Sequence, residues 1–194
     1  MQPVCATELK RSRRLVAIRD VVELNRAVLE LGRRLALIDT VVCANLLRIQ
    51  PDEADALANM ADMTLEHIAQ AGISVVVLEP GRPANRLPAD APANMLAIER
   101  DLQMTFDAVH TAAHRCAMES SALCQTYYRL GAEDATRLST LTELGRRSTT
   151  ASCALRIHGV APIVELINRE RGMPEFLTRL DSALLASRLA TVPF

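Results

Sequence analysis

Between Val21 and Ile49 the apolar positions Val21, Leu24, Val28, Leu31, Leu35, Ile38, Val42 and Ile49 follow one another at alternating steps of three and four, and Asn45 alone interrupts the register. Apolar groups at this spacing line one side of a helix, and such a stripe is stable only when other helices cover it. The pattern predicts a long helix, starting near Glu8 with Thr7 as its cap or breaking near Asp20. Gly32 inside it marks a mild bend or the close approach of a neighbour. Pro51 ends it by biasing Gln50 out of the α region. A second helix follows with Leu57, Met60, Ala61, Thr64 and Ile68 inward and closes near Gly72. Its first turn holds Asp52, Glu53 and Asp55, where the helix dipole favours negative charge. Residues 8–72 are thus expected to form an antiparallel helical hairpin.

The run Ile73–Leu78 is the one strand-like stretch, and no second candidate is evident to pair with it. An extended segment crossing the bundle is expected, with strand pairing between two copies as the alternative. Residues 73–92 thus read as this extended segment followed by a linker, the stretch from Glu79 to Ala93 holding Pro80, Gly81, Pro83, Pro88 and Pro92. A third helix is predicted over 93–130, carrying Leu102, Phe106, Val109, Ala113, Cys116, Ser120, Leu123 and Tyr127 inward, with Gly131 as its cap. A fourth runs from Glu133 to His158 with Leu138, Leu141, Leu144 and Leu155 inward, completing a second hairpin over 93–159. Residues 160–194 read as two short helices around a turn at Gly172–Pro174. The expectation is an all-α single domain over 1–194: an antiparallel bundle of two long helical hairpins joined by a Pro-rich linker, plus a C-terminal helical hairpin. No internal repeat beyond the two hairpins is apparent.

Composition narrows the functional classes. The chain has no Trp, two Tyr and three Phe, too few aromatic faces for a platform that stacks single-stranded bases. Net charge is −1, which argues against a general polyanion binder. The distribution is uneven: residues 1–50 carry nine basic groups against five acidic, whereas 51–79 carry six acidic groups and no basic ones. A basic helix followed by an acidic one is expected to lie beside it, charge selecting the pairing more than stabilising it. No apolar run reaches the roughly 18 to 20 residues that span a bilayer, and nothing after Lys10–Arg14 resembles a signal core. Five cysteines, Cys5, Cys43, Cys116, Cys124 and Cys153, show no CxxC spacing and are odd in number, as free thiols of a cytoplasmic protein would be.

One group of metal-ligand types stands out. Asp107, His110 and His114, at steps of three and four, can share a helix face, and histidines four apart can chelate one ion. An HExxH element and paired Glu-xx-His elements are both missing, and Cys116, two residues after His114, points well round the helix. The Lys10–Arg19 segment could meet phosphate or an acidic partner, though no helix-turn-helix spacing follows it and nucleic acid is not the expected partner. No phosphate loop or nucleophile elbow is present. The residues favour a non-enzymatic interaction or assembly protein that presents helix faces to a second copy or to another protein. Leu31, Leu35 and Ile38 are its expected centre, and Asn45 its expected register residue. The alternative is a small-ligand or metal-binding bundle using the His110/His114 face; no cofactor is otherwise implied.

Overall fold

The computed structural model describes residues 6–70, 72, 74–80, 86–142, 145 and 153–157, with side chains of the first helix described from Val16 onward. The expected C-terminal hairpin of 160–194, most of the fourth helix, residues 81–85 of the linker, Cys5 and the Lys10–Arg14 side chains lie outside the described residues. What is described is mostly helical. The elements are α1 (Ala6–Ile38), α2 (Thr40–Leu47), α3 (Pro51–Ala58), α4 (Asp62–Ala69), β1 (Val76–Pro80), α5 (Ala93–Glu119), α6 (Ser121–Tyr128), α7 (Ala132–Thr140) and β2 (Cys153–Ile157).

The first long helix is not continuous to Gln50. At Asp39 the backbone turns extended (φ −158°, ψ 110°), and the Asp39 carboxylate accepts hydrogen bonds from Val41 N (2.9 Å) and Val42 N (3.0 Å). This N-cap satisfies the donors that a new helix start would otherwise leave open. The chain then turns back: the Cys43 thiol donates to Gly32 O at 3.4 Å, and a methyl of Leu47 lies only 2.9 Å from where a Cβ on Gly32 would sit. Gly32 therefore marks close approach, and the bend falls at Asp39. The second predicted helix is also divided, at Asn59–Ala61, into α3 and α4. The α4 helix runs antiparallel to α1. Arg33 pairs with Asp62, Arg26 Nε donates to Glu66 Oε2 (2.8 Å), and buried Asn25 donates to Ala69 O (3.3 Å) while accepting from Val75 N (2.9 Å). The basic first segment and the acidic second one meet through these pairs.

The third predicted helix breaks in the same manner. Ser120 is extended (φ −163°, ψ 112°), and its hydroxyl accepts from Leu123 N. The two hairpins correspond in detail. Several features of α1–α3 return 81 positions on in α5–α7: the caps Asp39 and Ser120, and left-handed Arg48 and Arg129, each at φ 53°. The thiol bonds also correspond, Cys43 to Gly32 O and Cys124 to Ala113 O, both at 3.4 Å. So do the core positions Ala54 and Leu57 with Ala135 and Leu138. The strands correspond at a spacing of 77, Val76 with Cys153 and Pro80 with Ile157.

The strands overturn a further expectation. β1 is paired, antiparallel, with β2, a segment expected to be helical; Val76 lies opposite Ile157, Leu78 opposite Leu155 and Pro80 opposite Cys153. Since Leu78 and Leu155 are also counterparts in the repeat, a pseudo-two-fold axis passes through that central pair. The α1 and α5 helices pack on one another, and each unit reaches into the other: α2 packs on β2, and α6 on β1, with Ser74 N donating to Tyr127 O at 2.7 Å. The core is continuous across both units, through Val21, Val28 and Leu35 of α1 and Leu102, Val109 and Ala113 of α5.

Candidate functional site

The repeat supplies a comparison internal to the chain, because a side chain the fold requires should recur at its counterpart. At the corner where α1 turns into α2, Leu37, Ile38 and Val41 are exposed by 66%, 44% and 64%. Their counterparts at the α5–α6 corner are Met118, Glu119 and Ala122. Met118 is exposed as well, but Ile38 is replaced by a carboxylate and Val41 by a methyl group. The α5–α6 corner thus folds without branched apolar residues at two of these places, so the fold does not require them there.

The patch continues onto α2. Val42, Asn45 and Leu46, with Arg86, Leu87 and Pro88 of the strap before α5, line an open groove of about 380 Å³. Glu99 fixes the strap by accepting Leu87 N at 2.9 Å. Asn45 is exposed on this groove. The other residues expected at the interaction centre are divided: Ile38 is exposed, but Leu35 is fully buried and Leu31 nearly so. The reason is the turn at Asp39. It brings α2 back onto α1, and Leu31 and Leu35 lie in the core within the chain.

On α5, Asp107 is exposed, whereas His110 and His114 are buried. No group of three or more His, Cys, Asp or Glu residues placed to hold a metal occurs among the described residues. His114 Nε2 lies 3.0 Å from Leu141 O. A carbonyl only accepts, so Nε2 carries the proton and is turned away from metal ligation. The repeat explains this contact: Arg33, the counterpart of His114, donates to Met60 O, the counterpart of Leu141 O, at 3.1 Å. Two different donors thus satisfy the same carbonyl at the end of α3 and of α7. His110 takes the place of Leu29; its Nδ1 is buried without a hydrogen bond, while the residue is engaged elsewhere.

The thiols also differ between the units. Cys43 and Cys124 are counterparts, and Leu35 in the first unit holds the position that Cys116 holds in the second. Burial pushes the Cys43 thiol up to about 12. The Cys116 thiol is instead lowered by the neighbouring Cys124 side chain, against the effects of burial and of nearby Glu119 and Asp20. Cys124 is raised in turn by Cys116 and by its burial. Tyr128, the counterpart of Leu47, is fully buried beside this pair, and its phenol is raised by burial.

Asn25, which bridges two backbone groups 44 and 50 residues away, lies off the apolar register and gave no sequence signal. The left-handed Arg48 and Arg129 were equally silent, since Arg is not a residue type that announces positive φ. Among the described residues, no helix is long and apolar enough to cross a membrane. Comparison with protein-family models, with curated proteins and with solved structures gives no match.

Proposed function

We propose that this chain is a non-enzymatic assembly protein that associates with a second copy of itself through the α1–α2 corner. The observation carrying this reading is the apolar triad Leu37, Ile38 and Val41, exposed at a place where the second unit dispenses with two of the three. A second copy is the partner that brings a matching surface without further components. Two-fold contacts place the same patch on both sides, and the exposed triad beside a groove lined by Val42 and Leu46 supports such self-complementarity. The centre of the contact is displaced from Leu31 and Leu35, which the core uses, to Leu37 and Val41.

Sedimentation analysis of the wild type and of the Leu37→Glu/Val41→Glu variant tests this. The wild type is expected to dimerise and the variant to sediment as a monomer with unchanged helical circular dichroism, since both positions are solvent-exposed. A wild type that stays monomeric at about 100 μM, a concentration that would populate a micromolar complex, would falsify self-association.

A further inference from the structure

Building on self-association through the α1–α2 corner, we propose that Asp39 and Arg86 are the charge pair that orients two copies on one another, each Asp39 meeting the partner's Arg86. Both groups carry charge that the folded chain leaves unused. Asp39 caps α2 through one oxygen alone: Val41 N and Val42 N both donate to Oδ1, and Oδ2 accepts no hydrogen bond among the described residues. A charge is not what the cap needs. At the second corner Ser120 holds the same place, and its hydroxyl accepts from Leu123 N at 3.3 Å. Arg86 is exposed at the groove and makes no ion pair or hydrogen bond among the described residues, whereas Arg26, Arg33 and Arg48 are each held by a carboxylate.

Between 35 and 47 Asp39 is the single charged residue, and Arg86 is the single one lining the groove. They stand at opposite ends of the outward face of α2. Asp39 precedes its first residue, and Arg86 shares the groove with Asn45 and Leu46 of its last turn. From Asp39 to Asn45 is about 9 Å along a helix axis. A two-fold axis over Val41 and Val42, which lie between them, reverses that order in the second copy. It lays α2 antiparallel on its twin, so that Ile38 meets the partner's Asn45 and Asp39 the partner's Arg86. One operation makes both charge pairs, whereas a parallel approach would set carboxylate against carboxylate. Charges at the edge of an apolar contact select orientation more than they add affinity, and salt screens them.

The test is sedimentation equilibrium of the full chain at about 0.05 M and about 0.5 M salt, where screening is weak and strong respectively. Arg86→Glu is expected to weaken dimerisation about tenfold at the lower salt and less at the higher, with unchanged helical circular dichroism. Arg137→Glu, at an exposed site on α7 of the other unit, makes the same change of net charge and is expected to leave the dimer as tight as the wild type. Asp39→Asn retains a capping oxygen and removes the charge. Alone it is expected to weaken association, and in the Arg86→Glu protein to strengthen it, because there it removes a repulsion. A damaged cap weakens association in both backgrounds and does not reverse the sign. A wild type that stays monomeric overturns self-association and this pair with it. Where the wild type dimerises, the pair alone is overturned if Arg86→Glu associates as tightly, if Arg137→Glu weakens the dimer as much, or if Asp39→Asn weakens both backgrounds equally.

Discussion

His114 illustrates how much the meaning of one residue depends on its counterpart. Its spacing from Asp107 and His110 reads as a ligand set, because periodicity reports a shared helix face and not what covers that face. In the folded chain Asp107 faces solvent, and His114 donates to the carbonyl of Leu141, as Arg33 does to that of Met60. The contact is part-buried, and a carbonyl that loses its donor there costs about 1–2 kcal/mol, toward the low end of the range for a fully buried group. His114→Ala is therefore expected to lower unfolding stability by about that amount, and His114→Gln, whose amide N–H reaches the same region, to recover most of it. Denaturant unfolding of the three proteins measures the difference, and equal losses in the two variants would remove the carbonyl from the explanation. Asn25 was illegible for a related reason: its partners lie 44 and 50 residues away, and only folding brings them within reach.

At the scale of elements, the helical character of 6–70 and 93–140 was legible because steps of three and four are hard to satisfy otherwise. The turns at Asp39 and Ser120 were not. The helices on either side of each corner bury their own apolar faces, so the register runs through the corner as if the helix were unbroken. The strand β2 was hidden similarly: Cys153–Ile157 is defined by its pairing with β1, and pairing leaves no local mark. The juxtaposition of α1 and α4, by contrast, was written in their charge. Arg26 Nε donates to Glu66 Oε2 at 2.8 Å, with Gln70 Nε2 donating to Glu66 Oε1 at 2.7 Å. The Arg26 and Gln70 hydrogen bonds hold the Glu66 carboxyl down at about 2, below its ordinary 4.5. A carboxyl depressed in the folded state contributes stability that is fully present above its unfolded pKa and is lost as pH falls. Stability is thus expected to decline between about pH 4.5 and pH 2 partly through this group, and Glu66→Gln to flatten that part of the profile. The group is solvent-accessible, so the contribution is small and weakened by salt. Thermal unfolding against pH at two ionic strengths measures it, and a variant profile parallel to the wild type would exclude Glu66 as a source.

For the whole molecule, the crossed packing of the two units governs behaviour. The β1 strand has its ladder partner in the other unit, where α6 also packs on it, and α1 packs on α5. A polypeptide of residues 1–92 is therefore expected to lose most of its helical circular dichroism when produced alone, and to regain it on mixing with residues 93–194 in a one-to-one complex. Full helicity in the isolated 1–92 piece would show that the units fold separately. The two hairpins were read, but their position-by-position correspondence was nearly illegible in the sequence, because the fold repeats roles and not residue types: Asp39 and Ser120 cap, Arg33 and His114 donate, Leu47 and Tyr128 fill. Identities such as Ala27 with Ala108, Cys43 with Cys124 and Leu57 with Leu138 are too scattered to announce it. The ladder centred on Leu78 and Leu155 has a consequence for inheritance. In a pair of identical chains every substitution appears twice, and a change useful on one side must be tolerated on the other. With both sides in one polypeptide each can drift alone, so an apolar corner in one unit and a second thiol in the other could arise without either being imposed on its twin.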